Sequence, residues 1–342
     1  MTAASPAPVA PPERPVAPVG LDALRAPVAD DLAAFRAAFR AQMTSRVALL
    51  NAVTRYLLAR KGKEIRPTLV LLSARLCGGI TEKSHRAAAL VELLHTATLV
   101  HDDVVDEAET RRGAWSINAL WRNKVGVLLG DYLLSRGLLL ALDAGDYDLL
   151  HVMSDAVRRM AEGELNQIER ARRLDITEAT YLQIISDKTA SLIAACMAAG
   201  ATSAGADEAT VARARAIGET LGLAFQIRDD LFDYDADAAS VGKPVGLDLQ
   251  ERKMTLPLIL ALDRADDAER RRIRRIVRTR RKRPAQTAEV LRFVERSGGA
   301  AAARARMEAL AAEAADGLRT FPPSDAREAL IGLCAYVVAR KR

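Results

Sequence analysis

The sequence predicts an all-α helical bundle, and three observations lead there. Ala, Leu and Arg dominate a chain of 342 residues that is 50% hydrophobic but only 4% aromatic, and such side chains lose little freedom in a helix. Apolar residues recur at i, i+3, i+4 and i+7 almost continuously from Leu21 onward. No alternating apolar–polar run is long enough for a sheet.

Residues 1–20 are rich in Pro and Ala. Proline removes backbone donors and blocks helix, so this stretch reads as a disordered tail ahead of one helical domain over residues 21–342. The helical pattern breaks at 61–67, 77–81, 111–116, 143–148, 200–207, 235–248 and 320–324. Short punctuated connections between long amphipathic helices describe a bundle. The most apolar stretch, Val125 to Leu142, is interrupted by Asp131 and Arg136. It reads as a buried helix with no membrane span.

Net charge is +6 and the sequence pI about 9.4, which allows an anionic substrate, an anionic membrane surface or nucleic acid. No zinc-finger spacing, aromatic RNA-binding segment or basic zipper is present, so no nucleic-acid partner is expected. Cys77, Cys196 and Cys334 are widely spaced and match no CxxC pattern. With no secretory leader, they read as reduced thiols of a cytoplasmic protein.

The sequence D-D-x-x-D occurs twice, as Asp102, Asp103 and Asp106 and as Asp229, Asp230 and Asp233. Positions i and i+4 share a helix face, so Asp102 with Asp106 and Asp229 with Asp233 form two carboxylate pairs. Both lie among strongly apolar neighbours, where clustered acids are costly unless a cation is present. Mg2+ suits them, because it takes one or two carboxylates and completes its octahedron with phosphate oxygens and water. One such motif alone would read as a solvated helix end; two in matching settings point to metal ions around one diphosphate.

A diphosphate also needs fixed positive charge. Arg111 and Arg112 follow the first motif, and Lys63 and Arg66 flank Gly62 upstream. His95 lies two turns before Asp102 on nearly the same face. Lys188 and Thr189 sit in an apolar helix, Gln226 one turn before Asp229, and Lys243 beyond the second motif. Each is weak alone; together they make a cationic, metal-dependent diphosphate pocket.

At this point GKEIRP, HTATLVHDDVVDEAETRRG, DKTA, FQIRDDLFDY and GKPVGLDL, in that order, resemble the trans-isoprenyl diphosphate synthases, and the wording of GELNQIERARRLDITEATYLQIISDKTASLIAACMAAG looks like their long-chain polyprenyl branch. One departure is Lys61-Gly62-Lys63, where many members have two glycines before the lysine. The resemblance implies an isoprenoid synthase-type bundle with a central active-site cavity, usually a homodimer. It implies that Asp102, Asp106, Asp229 and Asp233 hold two or three Mg2+ ions, supported by Asp103 and Asp230. Arg111, Lys188 and Lys243 would bind the allylic diphosphate; Lys63, Arg66, His95 and Arg112 would bind isopentenyl diphosphate. Thr189 and Gln226 would line the path of the developing carbocation.

Product length is expected to follow from what blocks the pocket below the first motif. Thr98 and Ala97, one turn deeper than Asp102, are small, and Leu94 lies about 12 Å deeper than Asp102 at helical rise. An open upper level predicts a product longer than farnesyl diphosphate, made from a farnesyl or geranylgeranyl primer. The resemblance suggests about six to nine units, suited to a quinone side chain. A geranylgeranyl diphosphate synthase, a non-catalytic partner subunit and a class I terpene cyclase are the rival readings. The basic run Glu269 to Pro284 reads as a solvated helix and loop, with peripheral contact to anionic lipid as the functional alternative.

Overall fold

A computed structural model describes residues 20–59, 62–106, 109–111, 114–173, 176–235 and 246–340. The helices in chain order are α1 (Leu21–Arg25), α2 (Ala29–Gln42), α3 (Ala48–Leu58), α4 (Ile65–Cys77), α5 (Glu82–Val105), α6 (Ile117–Asp143) and α7 (Tyr147–Arg173). There follow α8 (Glu178–Ile185), α9 (Ser191–Ser203), α10 (Glu208–Phe232), α11 (Leu247–Gln250), α12 (Leu256–Asp263), α13 (Asp267–Arg278), α14 (Pro284–Arg296), α15 (Gly299–Arg319) and α16 (Asp325–Ala339). The expected all-α architecture is present. The only strands among the described residues are the two-residue pair β1 (Thr110–Arg111) and β2 (Ala114–Trp115), antiparallel.

Several helices begin on the side chains the sequence offers for that purpose. Thr81 and Ser84 close a capping box at the start of α5, and Asp207 accepts from the Thr210 N–H at 2.7 Å to start α10. The long segment from Leu21 is not one helix. A 3-10 turn at Ala26–Val28, with Pro27 near its start, separates α1 from α2, since proline cannot supply the N–H that a continuous helix needs.

The centre of the bundle is α9, most of whose side chains are buried. Its Ala and Gly residues let α4 and α10 approach closely. A Cβ on Gly200 would run into the Val70 carbonyl of α4, so only glycine fits there. Between α8 and α9 lies a single π-helical turn, Ser186–Ala190, a feature often found at functional sites. Gly163 of α7 faces this turn; a Cβ there would lie 2.7 Å from the Lys188 nitrogen.

One expectation needs correcting. The apolar stretch in α6 is not a buried helix, since only 33% of its most apolar window is buried. Leu120, Val127, Leu128, Leu139 and Leu142 are exposed on a single chain. By length and composition, α6 and the continuous stretch Glu178–Ser203 are both apolar enough to cross a membrane, but the latter window is 83% buried in the core.

Candidate active site

Both aspartate motifs lie at helix C-termini. Asp102 and Asp103 are in the last turn of α5 and Asp106 is its C-cap; Asp229 and Asp230 are in the last turn of α10 and Asp233 is its C-cap. Neither last turn contains a basic residue. A helix C-terminus carries partial negative charge from its unpaired carbonyls, and carboxylates there are repelled by it. Two helices that each end in three acids are therefore poorly arranged for the protein alone. A bound cation reverses the sign of the effect.

In the first motif Asp102 and Asp106 are exposed, whereas Asp103 is buried. This is the separation that i, i+4 spacing predicts. The second motif is more deeply set and more fully engaged. Arg340 donates to Asp229 Oδ1 at 2.6 Å. Burial pushes the Asp229 carboxyl up, against the pull of Arg340 and Lys63. Asp230 accepts from the Tyr181 hydroxyl and from Gln226 Nε2, each at 2.7 Å. Burial, with Asp248 nearby, pushes its carboxyl up to about 7. Asp233 accepts the N–H groups of Gly246, Leu247 and Asp248 at 2.9–3.0 Å, which anchors α11 to the end of α10. Burial still raises its carboxyl above the ordinary range.

Lys188, Thr189 and Gln226 lie at one cavity. Thr189 donates to Gln226 Oε1 at 2.8 Å, so one chain of hydrogen bonds runs from Thr189 through Gln226 to Asp230 and Tyr181. The amide orientation of Gln226 is thereby fixed, because its Nε2 must face the Asp230 carboxylate. Lys188 Nζ pairs with Glu164 of α7 and donates to Gln167 Oε1 at 3.2 Å. Gln167, Lys188, Thr189 and Gln226, with Asp248 and Lys253, line a cavity of about 100 Å³.

Lys253 escaped the sequence reading. It pairs with Glu251 at 2.6 Å and lies 3.9 Å from Asp248. Burial pulls its ammonium down, but Glu251, Asp248 and Asp106 together more than offset that. Lys253 thus feels the first motif and also faces the cavity beside the second. Tyr181 and Asp248 were also not singled out as site residues, and Arg340 only as one of three terminal basic residues within reach of a diphosphate site. No local motif announces Tyr181 or Arg340, whereas Asp248 lies within the GKPVGLDL segment.

Lys63 is exposed ahead of α4, close enough to lower Asp229 electrostatically, and its Nζ lies 5.9 Å from the Tyr336 ring. Arg66 enters the first turn of α4, where its charge is felt at Cys196 of α9. His95 is buried within α5. Arg112 and Lys243 lie outside the described residues, as does the side chain of Arg111. For the chain-length candidates, Ala97 is buried among Leu93, Leu129 and Leu133 between α5 and α6. Leu94 faces the main core, and Thr98 donates to the His95 carbonyl at 2.8 Å.

The donor chemistry fits a hard divalent cation. Among the described residues no three acids or histidines converge into a closed metal site. Exposed carboxylates such as Asp102 and Asp106 instead suit an ion that completes its shell with phosphate and water.

A sequence model of the polyprenyl synthetase family matches residues 47–294. The all-trans-nonaprenyl-diphosphate synthase (geranyl-diphosphate specific) of Rhodobacter capsulatus is 39% identical over 316 residues, which cover 92% of this chain and 96% of that protein. A short chain isoprenyl diphosphate synthase of Methanothermobacter thermautotrophicus is 37% identical, covering 84% of this chain and 89% of its own. The crystal structure of a polyprenyl synthase from Caulobacter crescentus CB15, complexed with calcium and isoprenyl diphosphate, superimposes with a TM-score of 0.88. It shares 36% identity and covers 96% of this chain and 100% of its own. Matched in sequence and fold over nearly its whole described body, this chain belongs to the polyprenyl synthetase family.

Proposed function

We propose that the chain condenses isopentenyl diphosphate with an allylic diphosphate to give a long all-trans polyprenyl diphosphate. The observation that carries this reading is the pair of acid-terminated helices, α5 and α10, with Lys188 and Lys253 at the cavity beside them. Asp102, Asp106 and the Asp229 motif would hold magnesium, which would supply neutralising charge for a departing diphosphate.

The chain's own residues bind and orient. Lys253 and Lys188 are held by Glu251 and Glu164, so they present fixed positive charge to an allylic diphosphate without reorganising. Thr189 and Gln226 place oxygen dipoles along the cavity wall. Oε1 of Gln226 uses one lone pair for Thr189 and keeps a second for an allylic cation. Lys63 supplies charge near the Asp229 side, where isopentenyl diphosphate needs its own anchor. Positioning two reactants and stabilising the leaving group accounts for the chemistry without a protein nucleophile.

The identities above do not separate long from short products, since the nonaprenyl and short-chain relatives are almost equally similar. The small side chain at Ala97 supports the longer one. The exposed apolar face of α6 supports a homodimer, because a contiguous apolar patch of this kind marks an interface. Incubating the purified chain with farnesyl diphosphate, isopentenyl diphosphate and Mg2+, then sizing the dephosphorylated alcohols, tests the reading. A ladder ending in one long product is expected; inertness with geranyl, farnesyl and geranylgeranyl primers would overturn it.

A further inference from the structure

The basic character of this protein is concentrated in one place. Residues 267–283 contain ten Lys and Arg against two acids, a local excess of eight, while the whole chain carries only +6. Everything outside this segment is therefore slightly acidic. The positive charge that the bulk composition suggested for substrate binding lies instead on α13 and the turn after it.

The arrangement is regular. Ile273, Ile276 and Val277 bury one face of α13. Arg271, Arg275 and Arg278, at i, i+4 and i+7, form a straight exposed stripe on the opposite face. Arg280, Arg281 and Arg283 continue it, also exposed. None of these six side chains pairs with a carboxylate among the described residues. The nearby acids are taken by others: Asp267 by Arg270 at 2.9 Å, Glu289 by Arg272 at 2.6 Å, and Glu269 by Arg296. Six like charges held together on a docked helix and the turn after it repel one another, and an opposite charge outside the protein relieves that.

We propose that this stripe is a docking surface for an anionic lipid bilayer. A helix half-sunk in the body presents a ridge rather than a free cylinder, which suits a plane of headgroups better than a nucleic-acid groove. No aromatic residue lies within 267–283 on which a base could stack. No large apolar side chain lies on the stripe either, so contact is electrostatic, without insertion. The choice of a membrane rests on the proposed activity, whose product carries a hydrocarbon chain that belongs in a bilayer.

Cosedimentation of the full chain with vesicles tests this. Vesicles about one-third phosphatidylglycerol should bind at least tenfold more tightly than pure phosphatidylcholine, and added salt should weaken the binding. The triple variant R271E/R275E/R278E should lose well over about a hundredfold in partitioning, since removing three near-surface arginines at roughly fivefold each gives about that already and the introduced carboxylates are repelled as well. The corresponding triple Gln variant should fall between. Elongation in detergent solution should be unchanged in both. Equal weak binding of the parent to both vesicle types, or undiminished binding by the Glu variant, would overturn the surface. So would retention of an RNA with no vesicle binding, which would make nucleic acid the partner. Vesicle binding by a parent that elongates nothing would leave this surface standing and refute the reading of the site.

Discussion

Arg340, one residue past the end of α16, donates a hydrogen bond of 2.6 Å to Asp229 near the end of α10. The same guanidinium donates to the Phe225 carbonyl and lies 3.9 Å from the Phe225 ring, while the Arg340 carbonyl accepts from Arg228. The C-terminal end of the described chain is thus tied to the second aspartate motif. Arg340 also neutralises the carboxylate that a metal ion would otherwise claim. Arg340→Gln should cost about 1–2 kcal/mol of stability, toward the low end because the Asp229 side chain is partly solvated. It should also lower the Mg2+ concentration needed for half-maximal activity. A magnesium titration of product formation that moves the other way would show that Arg340 supports the metal site.

Asp102→Ala and Asp106→Ala should each reduce turnover about 10²–10³-fold, as removal of a charge-stabilising group does elsewhere. Thermal stability of the free protein should hold steady or rise slightly, because each variant removes an acid from a helix C-terminus, where it is disfavoured by about 0.3–1 kcal/mol. Activity and melting temperature moving in opposite directions distinguish this from misfolding.

Lys253→Met should raise KM for the allylic substrate about tenfold or more, the scale of one lost charge-assisted contact. KM for isopentenyl diphosphate should change little. Steady-state kinetics with each substrate varied in turn reads the difference; equal effects on both would place Lys253 outside the allylic site.

Ala97→Phe should shorten the product, because Ala97 fills the gap between α5 and α6 with the smallest available side chain. The substitution overpacks a buried site at a cost of about 1–3 kcal/mol, so melting temperature is measured alongside. A shorter ladder with retained fold supports the assignment; an unchanged ladder puts the pocket floor elsewhere.

Cys196 and Cys334 are buried, and burial pushes each thiol up to about 12. Neither should react with a thiol reagent at neutral pH until the protein unfolds, while the half-buried Cys77 should react slowly. Their thiols ionise at a lower pH unfolded than folded, so stability from this source falls as pH rises from 9 toward 12. Full labelling of three thiols in the native state would contradict the packing.

Much of the fold was legible because helix periodicity and turn residues are local signals. The breaks read at 77–81, 200–207 and 320–324 fall between α4 and α5, α9 and α10, and α15 and α16. Asp102 with Asp106 could be anticipated from i, i+4 spacing and from the apolar context that makes acids costly, whereas the Thr189–Gln226 contact joins residues 37 apart and has no signature in spacing. Nor could Lys253 and Tyr181 be anticipated, because their meaning comes from packing between distant helices. The exposure of α6 was misread for a related reason. An apolar helix that faces a second protein has the same composition as one that faces the core.

The π turn at Ser186–Ala190 has a consequence for how this region tolerates insertion and deletion. One extra residue fits into a rod whose axis runs on from α8 to α9, so everything after it is rotated by about 100° relative to an uninterrupted helix. Lys188 and Thr189 sit inside that phase slip. Deleting any one residue between 186 and 190 would leave a regular helix of unchanged composition, with either α8 or α9 turned away from its present neighbours. The segment is thus sensitive to length in a way that its amino acids alone do not reveal.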